Sequence, residues 1–229
     1  MPARIITVLN QKGGPGKTTV TMQLGGTLAR RHHRVLIIDA DPQATATRWA
    51  SSAPDDSEFP ATVSGLAAAG EKVHREVKKY VDDYEVILVD CPPAVDSPVP
   101  QSALIISDLA LVPVIPSPLD LWASVAIRKL IETVQDLNEG LQARVVVNQI
   151  QPNTTLAREV LEILPEYNIP LLEARLHQRQ AYRASAVYGG TVHDLGSRAA
   201  PAIAEVDALT DEVSALLGLP STRKKRRVG

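Results

Sequence analysis

The chain has 229 residues, 45% of them apolar, and a formal net charge of −2. That length suits one α/β domain with a full core, and the apolar share excludes a disordered chain. The charge excludes a polycation, and the single cysteine, Cys91, excludes an intramolecular disulfide and fits a reducing cytoplasm. Aromatic residues are scarce at 3%, so the core must rest on Val, Leu, Ile and Ala, as in parallel sheets. No apolar run approaches the roughly 20 residues of a membrane span, and the first residues read as a strand rather than a signal peptide.

In chain order, Ile5–Leu9 is an apolar run that enters a glycine-rich turn, and Lys17 to Arg31 reads as a helix. Further apolar runs follow at Val35–Ile38, ending in Asp39, and at Val86–Val89, ending in Asp90. Leu109–Ile115 is a fourth, Val145–Val147 a fifth ending in Asn148, and Leu171–Leu172 a short sixth. Helical patterns cover Val63–Val81, Leu121–Leu137, Thr155–Leu164 and Ala199–Leu217. Strands alternating with helices predict βαβ units: an α/β fold, a mostly parallel twisted sheet with helices on both faces. One domain is expected over residues 1–219, with a basic tail over 220–229.

Lys12-Gly13-Gly14-Pro15-Gly16-Lys17-Thr18-Thr19 lies between a strand and a helix, the setting of a P-loop. Glycines let backbone N–H groups turn inward toward phosphates, and the helix N-terminus adds its positive dipole end. Lys17 would reach the β- and γ-phosphates, and the Thr18 hydroxyl would ligate Mg²⁺. Pro15 lacks an N–H, so one phosphate donor is lost while the loop is stiffened.

Lys12 makes the loop K-G-G-x-G-K-T-T, the deviant Walker A motif, and here the sequence resembles the ParA/MinD family of partitioning and positioning ATPases. The resemblance runs from Ile5 to about Leu217, specific in the first 95 residues and looser afterwards. It implies a P-loop NTPase fold, ATP/ADP and Mg²⁺ as ligands, and an ATP-sandwich homodimer in which Lys12 reaches the partner's nucleotide. Asp39-Ala40-Asp41-Pro42-Gln43 resembles the family's D-x-D-P-Q switch segment. Asp41 would position or polarise the attacking water, and Asp39 would stand near the magnesium shell; both could instead cap the next helix. Tyr84–Pro93 resembles a Walker B strand, with Asp90 holding Mg²⁺ through water. Cys91 reads as a small buried residue, since no activating histidine is recognisable beside it.

Asn148 matches the family's adenine-binding asparagine, with a turn role as the alternative. Asp120, in Pro116–Trp122, matches a segment near the nucleotide or the dimer interface, or else caps a helix. For nonspecific DNA, the candidates are Arg175, Arg179, Arg183 and Arg198, with Arg179 and Arg183 four apart on one helical face. The tail cluster Arg223, Lys224, Lys225, Arg226 and Arg227 joins them. Each arginine could equally be a solvated surface charge.

The resemblance thus implies a switch ATPase of the small, ParF-like class, cytoplasmic and nucleoid-associated. It would position a plasmid, chromosome or protein organelle with a ParB-like or cargo adaptor that stimulates hydrolysis. Alternatives are a MinD-like membrane switch and a dethiobiotin-synthetase-like enzyme. The last helix carries Glu205, Asp207, Asp211 and Glu212, a charge disfavoured at anionic lipid. A nitrogenase iron-protein role is excluded, because Cys91 is the only cysteine.

Overall fold

The computed structural model describes residues 2–93, 97–151 and 169–220, and the side chains of residues 118–124 fall outside that description. Seven parallel strands form one sheet: β1 (Arg4–Val8), β2 (Val35–Asp39), β3 (Thr62–Gly65), β4 (Val86–Asp90), β5 (Leu109–Val114), β6 (Gln142–Ile150) and β7 (Leu171–His177). Their order is β3-β2-β4-β1-β5-β6-β7. The chain runs from β1 to β2 on one side and later crosses to β5 on the other. The turn after β1 therefore sits at a topological switch point, where open α/β sheets bind ligands.

The described helices are α1 (Lys17–Arg30), α2 (Thr45–Ser51), α3 (Val73–Lys78), α4 (Pro98–Leu104), α5 (Pro118–Gln135), α6 (Gln180–Val187) and α7 (Ala200–Leu217). They cover both faces. Period-2 alternation sends Val35 and Ile37 of β2 toward the α1–α7 layer, and Leu36 and Ile38 toward the α3–α5 layer. On the first face Leu24 and Leu28 of α1 meet Val206 and Leu209 of α7. On the second, Val77, Leu104 and Ile131 supply the cover.

Most expected elements are present, and one is corrected. The helix expected over Val63–Val81 begins instead as edge strand β3, with Val63 opposite Ile37. A 3₁₀ segment over Ala67–Lys72 then leads into the short α3. The chain breaks at Gly70, whose φ of 50° no regular helix accommodates. The short helices α2 and α4 were not legible in the apolar pattern, whereas the helix expected around Arg179 and Arg183 is α6, which starts one residue after Arg179. The helix expected over Thr155–Leu164 lies outside the described residues.

The acidic residues of α7 are engaged within the fold. Glu212 accepts the N–H groups of Glu173 and Ala174 on edge strand β7. Arg31 reaches both Asp207 and Asp211. Glu205 accepts from the His177 N–H and ring Nδ1, from Arg179 and from Tyr182 Oη. An edge strand whose donors are covered in this way is protected from pairing with another chain.

Candidate functional site

β1 ends in the buried core, and Asn10 then shapes the loop: its Oδ1 accepts the Lys12 N–H at 3.1 Å while its Nδ2 donates to the Pro113 carbonyl at 2.6 Å. Gly14 and Gly16 have φ of 103° and 88°, a left-handed backbone that side chains disfavour. A Cβ on Gly16 would also overlap Asn148 Nδ2. Lys17 opens α1 and is nearly buried, and its Nζ donates to the Lys12 carbonyl at 2.9 Å. Burial lowers the Lys17 pKa, opposed by the nearby Asp90 and Asp41.

Asp39 and Asp90 end adjacent strands in register and are both buried. Thr18 Oγ1 donates to Asp90 Oδ2 at 2.6 Å, and Thr21 Oγ1 reaches Asp90 Oδ1 at 3.3 Å. Burial pushes the Asp90 pKa up to about 7; the Thr18 bond pulls it down and neighbouring Asp39 adds to the rise. Asp39 Oδ2 accepts both the N–H (2.8 Å) and the hydroxyl (3.0 Å) of Thr47, so this carboxylate holds the first turn of α2. Asp41 is half-buried, and its Oδ1 accepts the Gln43 N–H at 2.9 Å, closing a local turn. Cys91 is fully buried, and its thiol pKa is pushed well up by that burial and by Asp90. That is an inert cysteine, as expected.

These residues fit a nucleotide with its metal on chemical grounds. The loop offers a glycine-bent backbone, a helix N-terminus and a desolvated lysine beside a buried carboxylate pair. A divalent cation would hold Asp90 ionised. Thr18, Asp90 and, less directly, Asp39 would hold Mg²⁺, which when bound supplies charge neutralisation for the phosphoryl oxygens. Gly13, Gly14 and Gly16 line the same turn and Thr19 follows in the first turn of α1, whereas Pro15 brings a carbonyl and no N–H.

At the end of β6, Asn148 is buried; its Nδ2 donates to the Pro15 carbonyl at 2.7 Å and its Oδ1 accepts the Gln149 N–H at 2.8 Å. It thus stands beside the loop, holding the backbone. A cleft of about 190 Å³ lies between Thr19, Asn148, His177, Arg179, Tyr182 and Arg183. Asp120 occupies the first turn of α5, inside the helix rather than at its N-cap, with its side chain outside the described atoms.

The arginines singled out for DNA differ in their surroundings. Arg179 is the extended N-cap of α6 rather than a helical residue, so it does not share a helical face with Arg183. Glu205 draws it in, with Arg179 Nη2 at 2.6 Å from the carboxylate. Arg183 is exposed on α6 and Arg175 is exposed on β7. Arg198 borders a separate groove with Tyr188 and Leu195. Arg223, Lys224, Lys225, Arg226 and Arg227 lie outside the described residues. Sequence reasoning missed Gln149, Thr47 and Glu205. Only Gln149 had a local signal, its place next to Asn148.

Residues 6–192 match the model of the CobQ/CobB/MinD/ParA nucleotide binding domain. Maintenance of carboxysome distribution protein A of Halothiobacillus neapolitanus is 33% identical over 208 residues, covering 91% of this chain and 95% of that protein. A structure of Cyanothece McdA in complex with ATP superposes with a TM-score of 0.79 at 17% identity, over 95% of this chain and 97% of the other. The septum site-determining protein MinD of Pyrococcus horikoshii, complexed with Mg-ADP, gives 0.71 at 22% identity, over 95% and 98%. At those identities the two structures speak for the fold alone. No helix among the described residues is long and apolar enough to cross a membrane. With the loop, the acidic strand ends and these likenesses together, the chain belongs to the ParA/MinD family of P-loop ATPases, which bind and hydrolyse ATP with Mg²⁺.

Proposed function

We propose that this protein is an ATP-dependent dimerising switch that binds nonspecific DNA in its ATP form and positions a protein organelle of the carboxysome type. A cargo adaptor would stimulate its hydrolysis, and the protein would work in the cytoplasm on the nucleoid. The observation that carries the reading is the likeness along nearly the whole chain to a protein named for carboxysome distribution. Lys12 supports the dimer: it precedes the glycines in the position from which it would reach a second subunit's nucleotide. Exposed Arg175, Arg183 and Arg198 support a surface for phosphates, whose contacts would be salt-sensitive and indifferent to base sequence. Gain and loss of the γ-phosphate would then shift the population between bound and released forms.

The test is co-sedimentation with double-stranded DNA and, separately, with anionic liposomes, in ATP, in ADP and without nucleotide. The reading expects DNA pelleting in ATP alone, weakening as salt rises. Pelleting with liposomes alone, or equal DNA binding in ADP, overturns it. Light scattering checks the dimer: the parent should double its mass in ATP and Lys12→Ala should not. A Lys12→Ala protein that still dimerises on ATP removes Lys12 from the interface.

A further inference from the structure

The P-loop is held from outside by two consecutive carboxamides. Asn148 Nδ2 donates to the Pro15 carbonyl at 2.7 Å, and Gln149 Nε2 donates to the Gly14 carbonyl at 2.6 Å. Consecutive residues of a regular strand point to opposite faces, so one strand cannot ordinarily aim both at the same loop. β6 does so through a local irregularity. Val147 pairs with Arg175 and Ile150 with His177, so β6 spends one more residue than β7 over that stretch. Gln149 takes up the difference with φ of 54°, a left-handed backbone rare for such a residue. Bulges of this kind re-aim side chains beside active sites, and a strained residue persists only where its surroundings hold it.

Each clamp acts on a different peptide unit. The described peptide bonds are all trans, so a carbonyl held on one side points the N–H of the same unit to the other. Holding the Pro15 carbonyl toward Asn148 therefore aims the Gly16 N–H the opposite way, where a P-loop would meet its phosphates. The Gly14–Pro15 unit has no N–H to aim. Holding its carbonyl instead restrains Gly14, whose φ of 103° belongs to a residue with great backbone freedom.

We propose that Gln149 is a positioning residue for ATP: it clamps Gly14, and with Asn148 it presets the loop before nucleotide arrives. Pro15 then costs a donor but leaves a carbonyl that β6 can grip. Presetting lowers the ordering cost of binding. It acts alike on bound substrate and transition state, so it shows in affinity rather than in turnover.

The test uses Gln149→Met, which keeps length and neutrality without a donor, and Gln149→Asn, which suits a left-handed backbone but is one methylene short. Equilibrium titration with Mg-ATP should show about a tenfold rise in Kd for both, the scale of one lost hydrogen bond. The value of kcat at saturating ATP should fall less than twofold. If one variant fails to fold, the other carries the test. A Kd within twofold of the parent overturns the proposal, whatever the melting temperature of the nucleotide-free protein. So does a kcat that falls in step with kcat/KM.

Discussion

The Lys17 ammonium lies 2.9 Å from the carbonyl oxygen of Lys12, five residues back in the same loop. The loop thus holds its own cation in place, in a site where burial lowers the lysine pKa. Incoming phosphates replace a weak neutral acceptor by a strong charged one.

Lys17→Gln should therefore lower ATP affinity by roughly ten- to a hundredfold, the worth of one charge-assisted contact. The nucleotide-free protein should keep its fold, since Gln keeps a polar donor and removes a charge that burial disfavours. Calorimetric titration with Mg-ATP and a melting curve without nucleotide check both halves.

Asp41 accepts the Gln43 N–H, and an asparagine oxygen can accept the same bond. Asp41→Asn should therefore keep the local turn and ATP binding while removing the carboxylate charge that would support hydrolysis. Phosphate release should fall roughly 10²-fold, the usual cost of losing one electrostatic group at a reaction centre. Normal turnover in that variant would take hydrolysis away from Asp41.

Gly189 has φ of 65°, and a Cβ there would run into the backbone of Ser52 and Ala53 at the end of α2. Next to it, the Gly190 carbonyl accepts the Trp49 indole N–H at 2.9 Å. Gly218 has nearly the same φ, 63°, but open space around it. Gly218→Ala should cost about 1 kcal/mol, the backbone penalty alone. Gly189→Ala should cost at least ~2 kcal/mol more, because overlap with fixed backbone adds to it. Urea midpoints of the two variants separate the terms. They also report how firmly α2, which Asp39 holds at its other end, is tied to the α6–α7 connection.

Burial works against the Glu205 carboxylate, but the bonds from Arg179, His177 and Tyr182 outweigh it and hold its pKa below the ordinary 4.5. A carboxylate with a depressed folded-state pKa stabilises the fold above its unfolded value, and that contribution disappears as pH falls through the folded value. Glu205→Gln should lower the urea midpoint at neutral pH. Its deficit against the parent should shrink as the solution is taken down through the glutamate range and below. A deficit independent of pH would mean that packing, not charge, makes the difference.

The candidate site's loop and acidic strand ends were legible in the sequence because each part is contiguous. Glycines, Lys17 and Thr18 share one turn, and Asp39 and Asp90 each close a short apolar run, so local pattern alone marks them. The sheet was legible for the same reason wherever a strand is buried on both faces, as in Val35–Asp39 and Val86–Asp90. Edge strand β3 was not, because four half-exposed residues carry no period distinguishable from a helix.

What the tertiary structure decided are the pairings between distant residues. Gln149 and Gly14 are 135 residues apart, and the place of Gln149 next to Asn148 marks the residue but not its partner. Arg179 read as a helical surface charge until the packing of α7 on β7 brought Glu205 to it across 26 residues. Asp39 read as a magnesium neighbour or a cap, and the fold supplied Thr47 for it to hold. Sequence by itself singled out the loop and the acidic strand ends as the candidate phosphate site, since that chemistry needs a local backbone shape. The fold determined what holds that shape, since hydrogen-bond partners are chosen by proximity in space and leave no periodic trace along the chain.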